Sequence, residues 1–158
     1  MLSCQQESTW MGSPDYEMDY IEQTTGKLPA MRGLDFMNAD FQGVVERSKA
    51  WHERGGLVTI CWHTGDNYCD IIGSDTYDNS THSRAWAKLQ TVTDSGKPLA
   101  FHECGNVPPV EDFERDGCLW SWFMVWHTDH IKGNDADNLW AVYNSDTVIT
   151  LDELPEFH

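Results

Sequence analysis

Short apolar runs alternate with stretches of helical spacing along the whole chain. Residues 1–6 read as a short strand. Ser13-Pro14 offers a cap followed by a first-turn proline, so a helix is expected from there to a stop at Gly26. Residues 29–37 (PAMRGLDFM) predict a second strand. Asp40 is placed to cap a helix carrying Phe41, Val44, Val45 and Trp51 on one side, closed by Gly55-Gly56. Residues 57–63 (LVTICWH) are β-rich and continuously apolar, as a strand buried on both faces requires. Another strand is expected over 69–77 (CDIIGSDTY), followed by a helix capped at Ser80 or Thr81 with Ala85, Trp86, Leu89 and Val92. Gly96-Lys97-Pro98 turns the chain into 99–104 (LAFHEC), and a short helical piece over 109–116 leads to 119–126 (LWSWFMVW). A closing helix over 135–143 and an extended tail over 148–151 complete the reading.

Strands separated by helices of this length imply βα units and a parallel sheet, here of about six strands. The strand runs end on polar or aromatic residues: Asp35, His63, Tyr77, Glu103 and Trp126. In βα architectures that edge holds the active site. One interval breaks the rhythm. Only Thr64 to Tyr68 separate one strand run from the next, whereas two parallel neighbours need a crossover of about a dozen residues. Either those two strands are antiparallel, or they are not neighbours in an ordinary barrel.

Length and charge narrow the choice of partner. The 158 residues suit one domain, spanning 1–158, and the balance of 10 basic against 26 acidic residues leaves −16. Such a surface repels phosphate backbones and anionic lipid headgroups, so no nucleic acid and no membrane is expected as partner, and a neutral small molecule or polymer fits better. No apolar run is long enough to span a bilayer. Residues 1–6 also lack the basic and apolar regions of a secretory signal. Five cysteines (4, 61, 69, 104, 118), odd in number and without a CxxC pair, read as ordinary thiols rather than a disulfide framework or zinc site. The eight tryptophans are the compositional oddity. They serve either core packing or sugar binding, because pyranose C–H faces stack on the electron-rich indole face.

The segments GKPLAFHECGNVP (96–108) and WSWFMVWHT (120–128) carry a recognisable pattern. With them the chain resembles glycoside hydrolase family 26, the β-mannanase family of (β/α)8 barrels, nearly end to end. LSCQQ is similar to that family's first strand, LPAMRGLDFM to its second, GLVTICWHT to its third, YCDIIGSDTY to its sixth, PLAFHECG to its seventh and LWSWFMVW to its eighth. The resemblance implies a retaining endo-β-1,4-mannanase-like hydrolase acting on β-mannan or a related neutral polysaccharide, with no cofactor and no metal. It makes Glu103 the nucleophile and Tyr77 the hydroxyl that holds it. His63 falls in a sugar subsite. Trp126, with Trp122 as the fallback, becomes the platform under the reacting sugar. Full-length relatives of this kind are mostly secreted.

The departure from the family is as informative. Its fourth strand, which carries an Arg and a His-Glu pair whose Glu is the general acid/base, has no counterpart here, nor has the fifth. A full barrel is about 250 residues, so roughly 90 are missing. The chain reads as an incomplete (β/α)8 barrel, truncated at the N-terminus and internally near residues 64–66. His102-Glu103 imitates the lost His-Glu pair, but its flanking segments are those of the seventh strand. Retaining hydrolysis needs two carboxyl groups about 5–5.5 Å apart. Glu103 supplies one, and the strand-end acids Asp75 and Asp35 read as structural. Weak or no activity is therefore expected, with a non-catalytic β-glycan-binding remnant as the alternative.

Several other features read as ordinary structure. Trp51 and Trp86 fall on helix faces and read as core. Trp120, Trp122 and Trp126 alternate at period two and are expected to point one way. His127-Thr128-Asp129-His130 reads as a solvated loop rather than a metal site. No phosphate-binding glycine motif occurs. A six-stranded remnant must either close too tightly for its interior aromatics or stay open with two exposed edges, an aggregation hazard. Low solubility and a broad or absent melting transition follow.

Overall fold

The computed structural model describes residues 1–8, 10–35, 40–61, 71–92 and 97–156. Among the described residues six strands form one sheet: β1 (Leu2–Gln6), β2 (Met31–Asp35), β3 (Leu57–Cys61), β4 (Ile72–Thr76), β5 (Leu99–Cys104) and β6 (Trp122–Val125). Their order is β3-β2-β1-β6-β5-β4, and every pairing is parallel. The described connections carry α1 (Tyr16–Thr25), α2 (Phe41–Glu53), α3 (Ser83–Val92) and α4 (Val110–Asp116), and α5 (Thr128–Gly133) and α6 (Ala136–Tyr143) follow β6. First and last strands are neighbours, as in a closed barrel. β3 and β4, consecutive in sequence, lie at opposite ends of the sheet. The short interval between them is thus not a crossover between paired strands.

Two apolar layers flank the sheet. On the helix side Phe101, Phe113, Phe123, Leu139 and Tyr143 are buried together, with Trp86 and Leu89 of α3 packed against them. A smaller cluster joins Cys4, Met31, Ala100, Trp122 and Met124, with Leu2 and Leu57 at its margin. That second face has little room. A Cβ on Gly33 would come within 2.5 Å of Gln6 Oε1 and 2.7 Å of Met124 Sδ.

The expected elements are present, with local corrections. Asp40 caps α2 by accepting from the Gly43 amide at 3.0 Å, but only Val44 and Trp51 are buried there. Phe41 and Val45 are 56% and 45% exposed. α1 begins at Tyr16, after a turn over Pro14 and Asp15, so Ser13-Pro14 precedes the helix rather than starting it. α3 begins at Ser83, two residues beyond the expected cap, behind His82 at φ 55°. Trp120 departs from its expected direction. It lies before β6, stacks on Phe101 at 5.6 Å in the helix-side core and donates its indole N–H to the Thr81 carbonyl at 3.0 Å, because strand alternation begins only at Trp122. The stretch read as a solvated loop after β6 forms α5.

The tail ties off the amino ends of the strands. The Met1 amine donates to the Thr147 carbonyl at 2.6 Å, and Ile149 and Thr150 bridge to Leu2 and Pro29. A 3-10 turn over Leu151–Glu153 follows, with Thr150 and Glu153 capping it reciprocally.

A buried ionic cluster fastens β2 to the loop after β1 and to α2. Arg32 donates through Nε and Nη2 to Glu7 Oε2 at 2.9 and 2.7 Å, and through Nη1 to Asp15 at 2.7 Å. Arg47 of α2 reaches the other Glu7 oxygen at 2.8 Å. Arg32 also lies over the Trp51 ring, 5.6 Å from its centroid. Burial pushes the Glu7 carboxyl upward against the pull of both guanidinium groups.

Candidate active site

The carboxyl ends of β4, β5 and β6 bring the candidate residues to one edge. Glu103, next to last in β5, is paired in register with Asp75 of β4, where the ladder shifts between Ser74 and Asp75. Such an irregularity re-aims a side chain. Tyr77, one residue beyond β4, donates its phenol hydroxyl to Glu103 Oε1. Burial, and after it the negative charge of Asp75, pushes the Glu103 carboxyl up to about 7. Asp75 in turn meets His102 Nδ1 at 3.3 Å. The edge therefore holds a carboxyl group with a hydroxyl donor on one oxygen and a second acid beside it on the adjacent strand.

A row of rings continues from Tyr77. Its ring lies 5.1 Å from His130, which lies 5.3 Å from His127. His127 lies 5.7 Å from Trp126 and 5.4 Å from Trp10. The fit behind Tyr77 is tight. A Cβ on Gly105 would approach its Cδ1 to 3.2 Å and His130 Nδ1 to 3.3 Å. Burial, then the neighbouring His127, lowers the His130 imidazole. Tyr77 is 50% exposed and Trp10 59%, so rings of this row reach solvent at the strand ends.

Trp126 stands just past β6, partly buried, its amide donating to the Cys104 carbonyl at 2.9 Å and its carbonyl accepting from Gln5 Nε2 at 2.9 Å. Trp122 opens β6 at the opposite, amino end and is buried in the smaller core cluster. Its place is the interior rather than the edge. His63 lies outside the described residues. Asp35 closes β2. Sequence reasoning missed Trp10, His127 and His130. For the histidines the available signal was their i, i+3 spacing, which puts both on one face once α5 is helical. Among the described residues, no group of three or more His, Cys, Asp or Glu side chains is arranged to hold a metal ion.

A carboxylate with a hydroxyl donor can attack an electrophilic carbon. Similarities to known proteins agree with that chemistry. A mannan endo-1,4-beta-mannosidase of Thermothelomyces thermophilus is 33% identical over 98 residues, 59% of this chain. Mannan endo-1,4-beta-mannosidase A of Piromyces sp is 29% identical over 128 residues, 72% of this chain. The chain spans only 20% of the length of either relative. A ruminal GH26 endo-beta-1,4-mannanase superposes on all of the chain with a TM-score of 0.88 at 17% identity, across 66% of its own length. The GH26A protein of Muricauda sp. MAR_2010_75 gives 0.81 at 18% identity, across 99% of this chain and 93% of its own. These superpositions make the open sheet an incomplete barrel of the same fold. The family model for glycosyl hydrolase family 26 matches residues 58–153, more than half of the sequence and both sides of the short interval. The chain belongs to glycosyl hydrolase family 26.

Proposed function

We propose that this chain derives from a retaining endo-β-1,4-mannanase and carries its nucleophile, Glu103, without the general acid/base. The hydrogen bond from Tyr77 to Glu103 at the carboxyl edge of the sheet carries the reading. Trp126 is the platform for the reacting sugar, Tyr77 orients the nucleophile, and His63 belongs to a sugar subsite. Two acids beside that edge are differently engaged: Glu7 is tied to Arg32 and Arg47, and Asp75 to His102. Support for an internal loss of two βα units comes from the sheet order, whose ends are β3 and β4. Reading the genomic or transcript sequence around codons 64–66 tests that loss. An intact reading frame through the interval, with no excised segment, supports it as a property of the gene.

General acid catalysis contributes about 10²–10⁴-fold. Cleavage of mannan, whose leaving group is a poor alkoxide, is therefore slow in this chain. A phenol-type leaving group needs no proton, so Glu103 can displace it. Purified protein is to be assayed on galactomannan beside an activated aryl mannobioside. Release of the aryl group that disappears in Glu103→Ala, with little or no galactomannan hydrolysis, is the expected result. Turnover of galactomannan at the rate of an intact mannanase overturns the proposal. A second reading, binding of β-glycan without catalysis, is favoured by the rings at the same edge, where Tyr77 is half exposed and continues through His130 and His127 to Trp126. Retardation in mannan-containing gels with no aryl release selects it.

A further inference from the structure

A cavity of about 300 Å³ opens beside the nucleophile's edge and has no part in the proposed reaction. Three carboxyl-side segments build it. Asn79 follows Tyr77 by two residues, Asn106 follows Glu103 by three, and the turn between α5 and α6 brings Asn134 and Asp135, with Asn138 on α6. Val107 and Pro108 supply apolar surface.

Hydrogen-bond accounting separates framework from free capacity. Asn134 is committed. Its Oδ1 accepts from the Val107 amide at 2.8 Å, and its Nδ2 donates to the Gly105 and His130 carbonyls at 3.2 and 2.7 Å. It fixes the loop after Glu103. Asn106 donates to Asn79 Oδ1 at 2.6 Å, which leaves the Asn79 amino group and the Asn106 carbonyl oxygen for a ligand. Asn138 donates to the Val107 carbonyl at 2.8 Å, which leaves its own Oδ1. The cavity thus offers one amide donor and two amide acceptors above an apolar floor.

We propose that this cavity, built from the loops that follow Tyr77 and Glu103, is a subsite for one neutral sugar unit. An apolar ligand would strand the three amide groups, which is costly. An anion would meet Asp135 with no cation in the lining, and a cation would find a single carboxylate. Sugar hydroxyls both donate and accept, and a pyranose C–H face suits Val107 and Pro108. The volume lies at the lower end of ligand pockets, about 300–1,000 Å³, so it suits one ring rather than a chain. The inference rests on the glycosidase reading for the kind of ligand, not for the chemistry of the cavity.

Galactose, mannobiose and glucuronate are to be titrated into isotopically labelled protein while the side-chain amide signals of Asn79, Asn106 and Asn138 and the indole signal of Trp126 are followed. Saturable shifts of the asparagine signals with galactose and mannobiose, weaker with glucuronate, are expected. Asn79→Ala/Asn106→Ala should weaken that binding about tenfold, two hydrogen bonds' worth, with the Trp126 response to mannobiose unchanged. Asparagine signals that stay still while Trp126 responds overturn the subsite and leave the glycosidase reading standing. Asparagine shifts with a silent Trp126 keep the subsite and sink that reading. Silence in both overturns both. If the double variant does not fold, the wild-type titration alone decides.

Discussion

As the proposed nucleophile, Glu103 is under two opposed demands: it must be ionised, yet burial and Asp75 hold its carboxyl near 7. On the proposed reading, in which no general acid titrates, first-turnover release of the aryl group should therefore rise with pH to a plateau, with a midpoint near 7 and no falling limb. A bell-shaped pH profile of that first-turnover rate would reveal an acid and contradict this. Tyr77→Phe removes the donor that favours the carboxylate, so the midpoint should move upward and the rate at pH 6 fall about tenfold, the low end for a hydrogen bond to a charged group. The same shift has a sign for folding. A carboxyl raised in the folded state contributes stability below its unfolded value of 4.5, and that contribution is lost as pH climbs through about 7. Glu103→Gln should raise the urea midpoint at pH 8 and leave it unchanged at pH 4; an equal effect at both would be wrong for this cause. The position of Glu103, Tyr77 and Trp126 at the carboxyl edge was legible because each closes an apolar run inside a specific motif. Asp75, His127 and His130 were not, since their proximity to the site arises from register and ring packing between elements distant in sequence.

The elements themselves were mostly readable, and their failures have physical causes. α5 has six residues, too few for apolar periodicity to register. The α2 face was read too broadly. Val44 and Trp51 cover the sheet, while Phe41 and Val45 stay exposed, as expected of a flank that a following helix would cover in a complete barrel. What joins β1, β2 and α2 could not be foreseen, because Glu7, Arg32 and Arg47 are far apart in sequence. Breaking one member of a buried ionic cluster costs about 3–5 kcal/mol, whereas replacing the pair by apolar residues is often neutral. Glu7→Ala should therefore speed amide exchange in β1 and β2 far more than Glu7→Leu/Arg32→Met does. Equal exchange in the two variants would make the cluster energetically idle.

At the scale of the molecule, β3 and β4 end the sheet, and Ile60 and Ile71 beside those edges are 44% and 38% exposed. Parallel strands are ordinarily covered on both faces and edges. Concentration-dependent light scattering and a broad thermal transition are expected, and Ile60→Lys should reduce the scattering by charging an edge. A monodisperse protein with a sharp, reversible transition would contradict that. Of the two shapes the sequence left open, the open one is observed, since nothing local in the chain decides whether two distant strands pair. The proposed chemistry follows from the same gap. If, as proposed, no acid/base activates water, a sugar transferred from an activated aryl mannobioside to Glu103 should stay there. Its C1–oxygen bond to the carboxylate forms as the aryl oxide leaves. Intact-protein and peptide mass spectrometry during that reaction is the most direct measurement. The account predicts a burst of about one aryl group per chain and a mannobiosyl ester on Glu103, while steady turnover with no ester, or an ester elsewhere, would contradict it.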